Sequence, residues 1–150
     1  MGMFRVQTKA FGAIDVDERQ KILFPYGILG FESLKSYVLL DAAQPPFYWL
    51  QSLESPQIAF VLIEPRLFRP DFVLEVNPEE LAEIDIHSPA EALVFAIVTV
   101  PEDPRLMTAN LQGPIVINRE RRIARQLISI DARWQLRHPI LEELALARKR

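Results

Sequence analysis

From Ala92 to Val100 the chain reads ALVFAIVTV, its most apolar run. A polar stretch, PEDPRLMTANLQG, follows, and then a second β-branched run, PIVIN, ending at Asn118. Short continuous apolar runs rich in β-branched residues fit strands buried on both faces. The pattern predicts two buried strands joined by a loop that contains Thr108, Ala109 and Asn110. Met3 to Thr8 alternates apolar and polar positions, as a half-buried strand does. Gly12 marks a turn, and Ala13 to Val16 reads as a return strand. Asp17 to Arg19 is a polar turn, and Ile22 to Phe24 a short strand ended by Pro25. Further strands are predicted at Tyr37–Asp41, Phe47–Ser52, Ile58–Glu64 and Phe72–Val76, with Pro45, Pro46, Pro56 and Pro65 as breaks. Arg119 to Arg122 form a basic turn, after which Ile123 to Ile130 returns as a strand.

Two segments break this β rhythm. PYGILGF, from Pro25 to Phe31, is too apolar for a free loop, and Gly27 and Gly30 can supply positive φ. It predicts a tight loop tucked onto the core, followed by one helical turn over Phe31–Tyr37. Asn77-Pro78-Glu79-Glu80 is a helix start, with Asn77 as cap, Pro78 in the first helical position and Glu80 placed to close a capping box. Ser88-Pro89-Ala90-Glu91 repeats the signature but leads at once into the Ala92 strand, so one turn is expected. A last helix begins near Pro139, with Glu142 and Glu143 early and Arg148, Lys149 and Arg150 late, the order the helix dipole favours. The fold class is therefore mainly β: a partly closed antiparallel β-barrel-like domain of nine or ten short strands with two or three short helices. No βαβ rhythm appears, and partial closure removes exposed strand edges.

Composition narrows the class. At 150 residues the chain is expected to be a single domain, residues 1–150. It contains no cysteine, which excludes disulfides, thiol nucleophiles and cysteine zinc sites. The N-terminus has no apolar core of signal-peptide length, and Val6 breaks the myristoylation pattern that Gly2 begins. The longest apolar run is about half of what a membrane helix needs. A soluble cytoplasmic protein without a membrane partner is the expectation.

Charge changes the picture more. From Pro70 to Pro104 there is no Lys or Arg, while Asp71, Glu75, Glu79, Glu80, Glu83, Asp85, Glu91, Glu102 and Asp103 fall within it. From Arg119 onward the bias is basic, through Arg119, Arg121, Arg122, Arg125, Arg133, Arg137, Arg148, Lys149 and Arg150. Such asymmetry suggests a charged partner on at least one side, unless the two halves neutralise each other within the fold.

Catalytic chemistry is not visible. His87 and His138 each neighbour a proline at a helix start, which suits caps or surface positions. No histidine spacing fits a metal site, and Gly27 and Gly30 lack the Lys-Ser/Thr of a phosphate loop. Asp71 with Glu75, or Glu79 with Glu83, reads more readily as a solvated acidic face than as a hydrolase pair. No catalytic residue, metal or cofactor is expected. Two binding readings remain. The acidic window, with Phe72 beside Asp71, can meet a basic protein surface, with Phe72 as a core residue the alternative. The Arg119–Arg125 hairpin can meet phosphates, as a nucleic-acid-binding barrel would, although the acidic domain as a whole argues against it. Asn110 needs its amide satisfied, more readily by the backbone of its own loop than by a ligand.

TANLQGPIVIN, Thr108 to Asn118, resembles the hallmark of the FliW family of flagellar assembly factors. TKAFGAI (Thr8 to Ile14), FPYGILGF (Phe24 to Phe31), FYWLQS (Phe47 to Ser52), RPDF (Arg69 to Phe72), RQLI (Arg125 to Ile128) and RHP (Arg137 to Pro139) follow in the family's order. Phe72 stands where the family often has Tyr. The resemblance implies a FliW-like domain that is not an enzyme and that binds two proteins, flagellin and the RNA-binding regulator CsrA. In such proteins, flagellin export frees the factor to bind CsrA and so relieves repression of flagellin translation. Direct contact with nucleic acid is not implied. CsrA must be basic where it holds RNA, so Asp71, Phe72, Glu75, Asn77, Glu79 and Glu80 are its candidate contacts. For flagellin the candidates are Ile28, Leu29 and Phe31, as an apolar loop for a helix, with the basic hairpin beside them.

Overall fold

The apolar run at Ala92 becomes β7 (Ala92–Thr99) and pairs antiparallel with β8 (Thr108–Asn118) on both sides of a register shift after Phe95. In the computed structural model, which describes residues 2–149, the remaining elements are β1 (Met3–Thr8), β2 (Gly12–Asp17), β3 (Lys21–Leu23), β4 (Ser36–Asp41), β5 (Tyr48–Ser52), β6 (Ala59–Ile63), α1 (Pro78–Ala82), β9 (Ala124–Gln126), β10 (His138–Pro139) and α2 (Ile140–Arg148). Arg150, the last of the predicted basic residues of the tail, lies outside the described residues.

The sheet runs β10-β8-β7-β6-β5-β4-β3, with β9 on the far side of β8. A bridge between Leu23 and Ile123 brings β3 beside the start of β9, through the Leu23 N–H donating to the Arg122 carbonyl at 2.9 Å. The ring from β3 to β9 is thus nearly closed. Its interior is filled by Ile22, Phe24, Tyr37, Leu50, Leu62, Phe95, Ile115 and Ile117. The outside is covered as well. Phe68, Phe72, Trp134 and Ile140 pack over Ala96, Val98, Ala109 and Leu111. Val76, Ile84, Ile86 and Leu127 pack over Val116. Strands buried on both faces need no polar positions, which explains the unbroken apolar run at Ala92. The β1–β2 hairpin lies on a third side, with Val6 and Val16 against Val38 and Leu40. Its TKAFG turn is fixed by Thr8, whose hydroxyl accepts from the Phe11 N–H and donates to the Gly12 carbonyl, both at 2.8 Å.

Four local expectations are corrected. Thr108–Gly113 is not a loop but the first half of β8. The register passes from Phe95–Ile115 to Ile97–Asn110, so Leu111 to Pro114 bulge out of the ladder. Side chains carry the bonds the ladder loses: the Asn110 amide oxygen accepts from the Gly113 N–H at 2.9 Å, and the Gln126 amide donates to the Gly113 carbonyl at 3.1 Å. A Cβ at Gly113 would stand 2.9 Å from that Gln126 nitrogen. Asn110 is therefore structural. Phe72–Val76 is not a strand; it lies across the barrel and offers the Glu75 carbonyl to the Ile130 N–H. The predicted strand Ile123–Ile130 forms a ladder only over Ala124–Gln126. Phe31–Tyr37 contains no helical turn; a bridge between Ile28 and Phe31 closes that loop instead. Gly27 at its apex has φ +68, and a Cβ there would lie 2.5 Å from the Glu32 backbone.

Candidate partner-binding surfaces

The acidic and basic segments meet. Arg125 pairs with Glu80 at 3.0 Å and with Glu83, and Arg121 pairs with Asp85. Arg125 also stacks on Tyr26 at 4.1 Å, and the Tyr26 hydroxyl donates to Glu83 at 3.0 Å. Arg119 donates from its backbone to the Glu91 carbonyl and from its side chain to the Ala90 carbonyl. At Arg121 and Arg125 the two halves neutralise each other within the fold, while among the described residues Arg119, Glu75 and Glu79 form no ion pair. Buried Asn118 reinforces the junction. Its amide nitrogen donates to the Ile84 and Asp85 carbonyls at 3.0 Å, while its oxygen accepts from the Glu120 and Arg121 N–H groups. Asp85 is held in the left-handed region, φ 59, by this grip. The local pattern does not report the two acceptors of the Asn118 amide, which lie more than thirty residues upstream.

The predicted acidic contacts therefore divide. Phe72 is 3% exposed and lies 4.9 Å from the Trp134 ring, so its core role wins and its ring is not at the surface. Asp71 accepts two hydrogen bonds from Arg69. Glu80 is taken by Arg125 rather than by a capping box. Asn77 caps α1 by accepting from the Glu79 N–H at 2.9 Å. Glu75 and Glu79 project outward, and among the described residues neither lies within ion-pair distance of a cation. The acidic surface open to a partner is thus centred on these two, beside exposed Val73.

The RPDF and RHP segments converge on Trp134. Arg69 lies 4.7 Å over its ring and binds Asp71 and Glu143, each at 2.8 Å. The bonds to Asp71 and then to Glu143 raise the Arg69 pKa further, against the cost of partial burial. His138 is buried, and its Nε2 accepts from the Gln135 N–H at 2.8 Å. Nδ1 therefore carries the proton and donates to Glu143 at 3.0 Å. The ring thus ties the turn at Gln135 to α2 through Glu143.

The apolar loop also divides. Ile28 is 2% exposed and belongs to the barrel interior, and Phe31 packs edge-on to Phe60 at 5.2 Å. Leu29 alone stands out, at 78% exposed. It is not isolated. Ile128 at 62% and Leu136 at 59% exposure line the same depression of about 230 Å³, with Gln112 and Gly113 of the β8 bulge between them. Three exposed aliphatic side chains from separate segments make a patch of the kind that marks an interaction site. Sequence reasoning missed Ile128 and Leu136. Ile128 falls in the predicted strand Ile123–Ile130 beyond the part that pairs, and Leu136 falls between predicted elements.

Among the described residues no group of acidic, His or Cys side chains could hold a metal ion, and no helix is long and apolar enough to cross a membrane.

Comparison with known proteins agrees across the chain. The model of the FliW protein family matches residues 5–140. The flagellar assembly factor FliW of Treponema denticola is 43% identical over 142 residues, covering 95% of this chain and 97% of that protein. The flagellar assembly factor FliW of Leptospira interrogans is 46% identical over 143 residues, covering 94% and 95%. A crystal structure of the flagellar assembly factor FliW superposes with a TM-score of 0.85 at 34% identity, covering 91% of this chain and 96% of that one.

Proposed function

The chain belongs to the FliW family of flagellar assembly factors, and from that membership we propose that it acts in the cytoplasm by binding flagellin and the RNA-binding translational regulator CsrA. Binding to CsrA relieves repression of flagellin translation, and flagellin competes for the factor's availability. The family is one of assembly factors and not of enzymes. The reading rests most on the exposed trio of Leu29, Ile128 and Leu136, which offers an amphipathic flagellin helix an apolar seat. CsrA is assigned to Glu75 and Glu79, whose unpaired carboxylates suit a basic surface.

Size-exclusion chromatography of the purified protein with each candidate tests this. Co-elution with flagellin and, separately, with CsrA is expected. Leu29→Asp removes the flagellin complex and spares the CsrA complex; Glu75→Lys with Glu79→Lys does the reverse. Leu29 is the residue to change because an acidic side chain at buried Ile28 would damage the core. Separate elution of all three wild-type proteins would overturn the proposal.

A further inference from the structure

β7 is paired on both sides for only part of its length. β6 meets it at Ala96, Ile97 and Val98, then turns away at Glu64 into the 3-10 turn Pro65–Leu67. Ala92 to Phe95 have a ladder with β8 alone. The Arg119 N–H donates to the Glu91 carbonyl at 2.8 Å, which directs the backbone groups of Glu91, Leu93 and Phe95 toward β8. Ala92 and Val94 therefore face the open side. The Ala92 N–H is used by the Pro89 carbonyl. The Ala92 carbonyl and both backbone groups of Val94 remain, an open strand edge of the kind that other chains add to.

This edge forms one wall of a groove of about 780 Å³. Phe72, Val73 and Leu74 line it opposite, and Leu81 and Ile86 extend the apolar surface. Its ends are cationic. Arg119 stands at the Ala92 end, with its side chain on the Ala90 carbonyl at 3.3 Å, and Arg66 stands beyond the Phe95 end, on the Pro70 carbonyl at 3.3 Å. Among the described residues neither reaches a carboxylate within ion-pair distance, whereas Arg5, Arg19, Arg105, Arg121 and Arg125 all do. Glu64, whose carboxylate faces the Tyr48 hydroxyl, and His87, whose ring lies 3.8 Å from Asp85, also line the groove.

We propose that this groove takes an extended segment of a partner protein as an added β-strand beside Ala92–Phe95, apolar at alternate positions and carrying a carboxylate at each end. Four residues of strand span about 13 Å, so flanking carboxylates fall near the two arginines. Backbone bonds to Val94 supply the affinity, the apolar wall selects alternate side chains, and Arg66 and Arg119 select charge. The proposal goes beyond the flagellin and CsrA reading and does not depend on it, since it uses neither Leu29 nor the carboxylates of Glu75 and Glu79.

The probe is a capped synthetic peptide of alternating valine and threonine with glutamate at both ends, titrated into the isotope-labelled protein and followed by amide NMR. Shifts centred on Ala92–Phe95 are expected, with exchange of the Val94 N–H slowed about tenfold at saturation. A lysine-ended peptide should bind about tenfold more weakly, and Arg66→Glu with Arg119→Glu should invert that preference. A peptide N-methylated at its central valine should not bind. Each of these last three variants can be read without the others, so a fold defect in the double variant leaves the peptide comparisons standing. An unperturbed Val94 amide, or equal binding of the N-methylated peptide, overturns the proposal. So does tighter binding of a helical peptide of equal charge, which would make the groove a helix site. Protection of Val94 that rises with protein concentration alone would assign the edge to a second copy of the chain, and would equally overturn it.

Discussion

Arg69 and Arg125 both join the acidic half of the chain to the basic half, but they sit in different surroundings. Arg69 is pressed on the Trp134 ring, and the side chains of Arg69, Glu143 and His138 are 22%, 12% and 8% exposed. At the second junction, Arg125 is shielded by Tyr26, yet its partner Glu83 is 48% exposed, and in the neighbouring pair Arg121 and Asp85 are 61% and 45% exposed. Arg125 itself is 19% exposed, close to Arg69, so the contrast lies between particular pairs: Coulomb attraction is screened at Arg121–Asp85 and much less so at Arg69–Glu143. Charge pairing therefore fixes architecture at Arg69–Glu143 and only trims a surface at Arg121–Asp85. At the surface junction the grip comes from Asn118, a neutral amide that meets four backbone groups.

The sharpest test is Trp134→Ala, which removes the platform under the buried junction. It should cost about 4 kcal/mol in urea unfolding, as large aromatic truncations in cores do. A loss below 1.5 kcal/mol would erase the contrast. Arg69→Ala should follow at about 2–3 kcal/mol, because the 12%-exposed Glu143 carboxylate loses its guanidinium partner. Native-state hydrogen exchange in that variant should show α2 loosened before the barrel. Asn118→Ala should cost about 2 kcal/mol by orphaning backbone groups at the end of α1. If it cost less than Arg121→Ala, ions rather than the amide would hold the surface junction. Arg121→Ala itself should cost about 0.5 kcal/mol or less and fade in high salt. The smallest effect concerns pH. Glu91 accepts the His87 and Ser88 N–H groups, which lowers its folded pKa below the usual 4.5. Its stabilising effect is present above that ordinary value and is lost as pH falls through the folded one. Glu91→Gln should therefore flatten the acid limb of the stability profile, measured by thermal unfolding from neutral pH downward.

Most of the strands, the fold class and both main helices were legible because each follows from local periodicity or a cap. Ala92–Thr99 is the clearest case: burial on both faces leaves a run that no surface strand would show. The bulge at Leu111–Pro114 was not legible. Its bonds come from the Gln135 carbonyl, from the Leu127 and Ser129 N–H groups and, at Gly113, from the Asn110 and Gln126 side chains, and the pattern of apolar positions does not report which distant group will replace a ladder bond. Phe72–Val76 alternates like a strand, yet the partner that would make it one is missing, so it packs without pairing. In the candidate surfaces, position in the chain was enough to find the PYGILGF loop and the acidic window. It was not enough to separate Leu29 from Ile28, or Glu79 from Glu80. That separation depends on where Gln126 and Arg125 come to rest, which is a tertiary fact.

The seam between Leu23 and Ile123 gives the barrel a mechanical character. Six neighbouring pairs in the ring are joined by ladders, and this one by the isolated bridge between Leu23 and Ile123, next to Arg122, a residue itself held at φ 56. The seam is the narrowest join in the ring, but it is braced from the side: Arg125 stacks on Tyr26 and the Gln126 amide oxygen accepts from the Leu29 N–H, so the apolar loop and the basic hairpin are stitched across it into one surface.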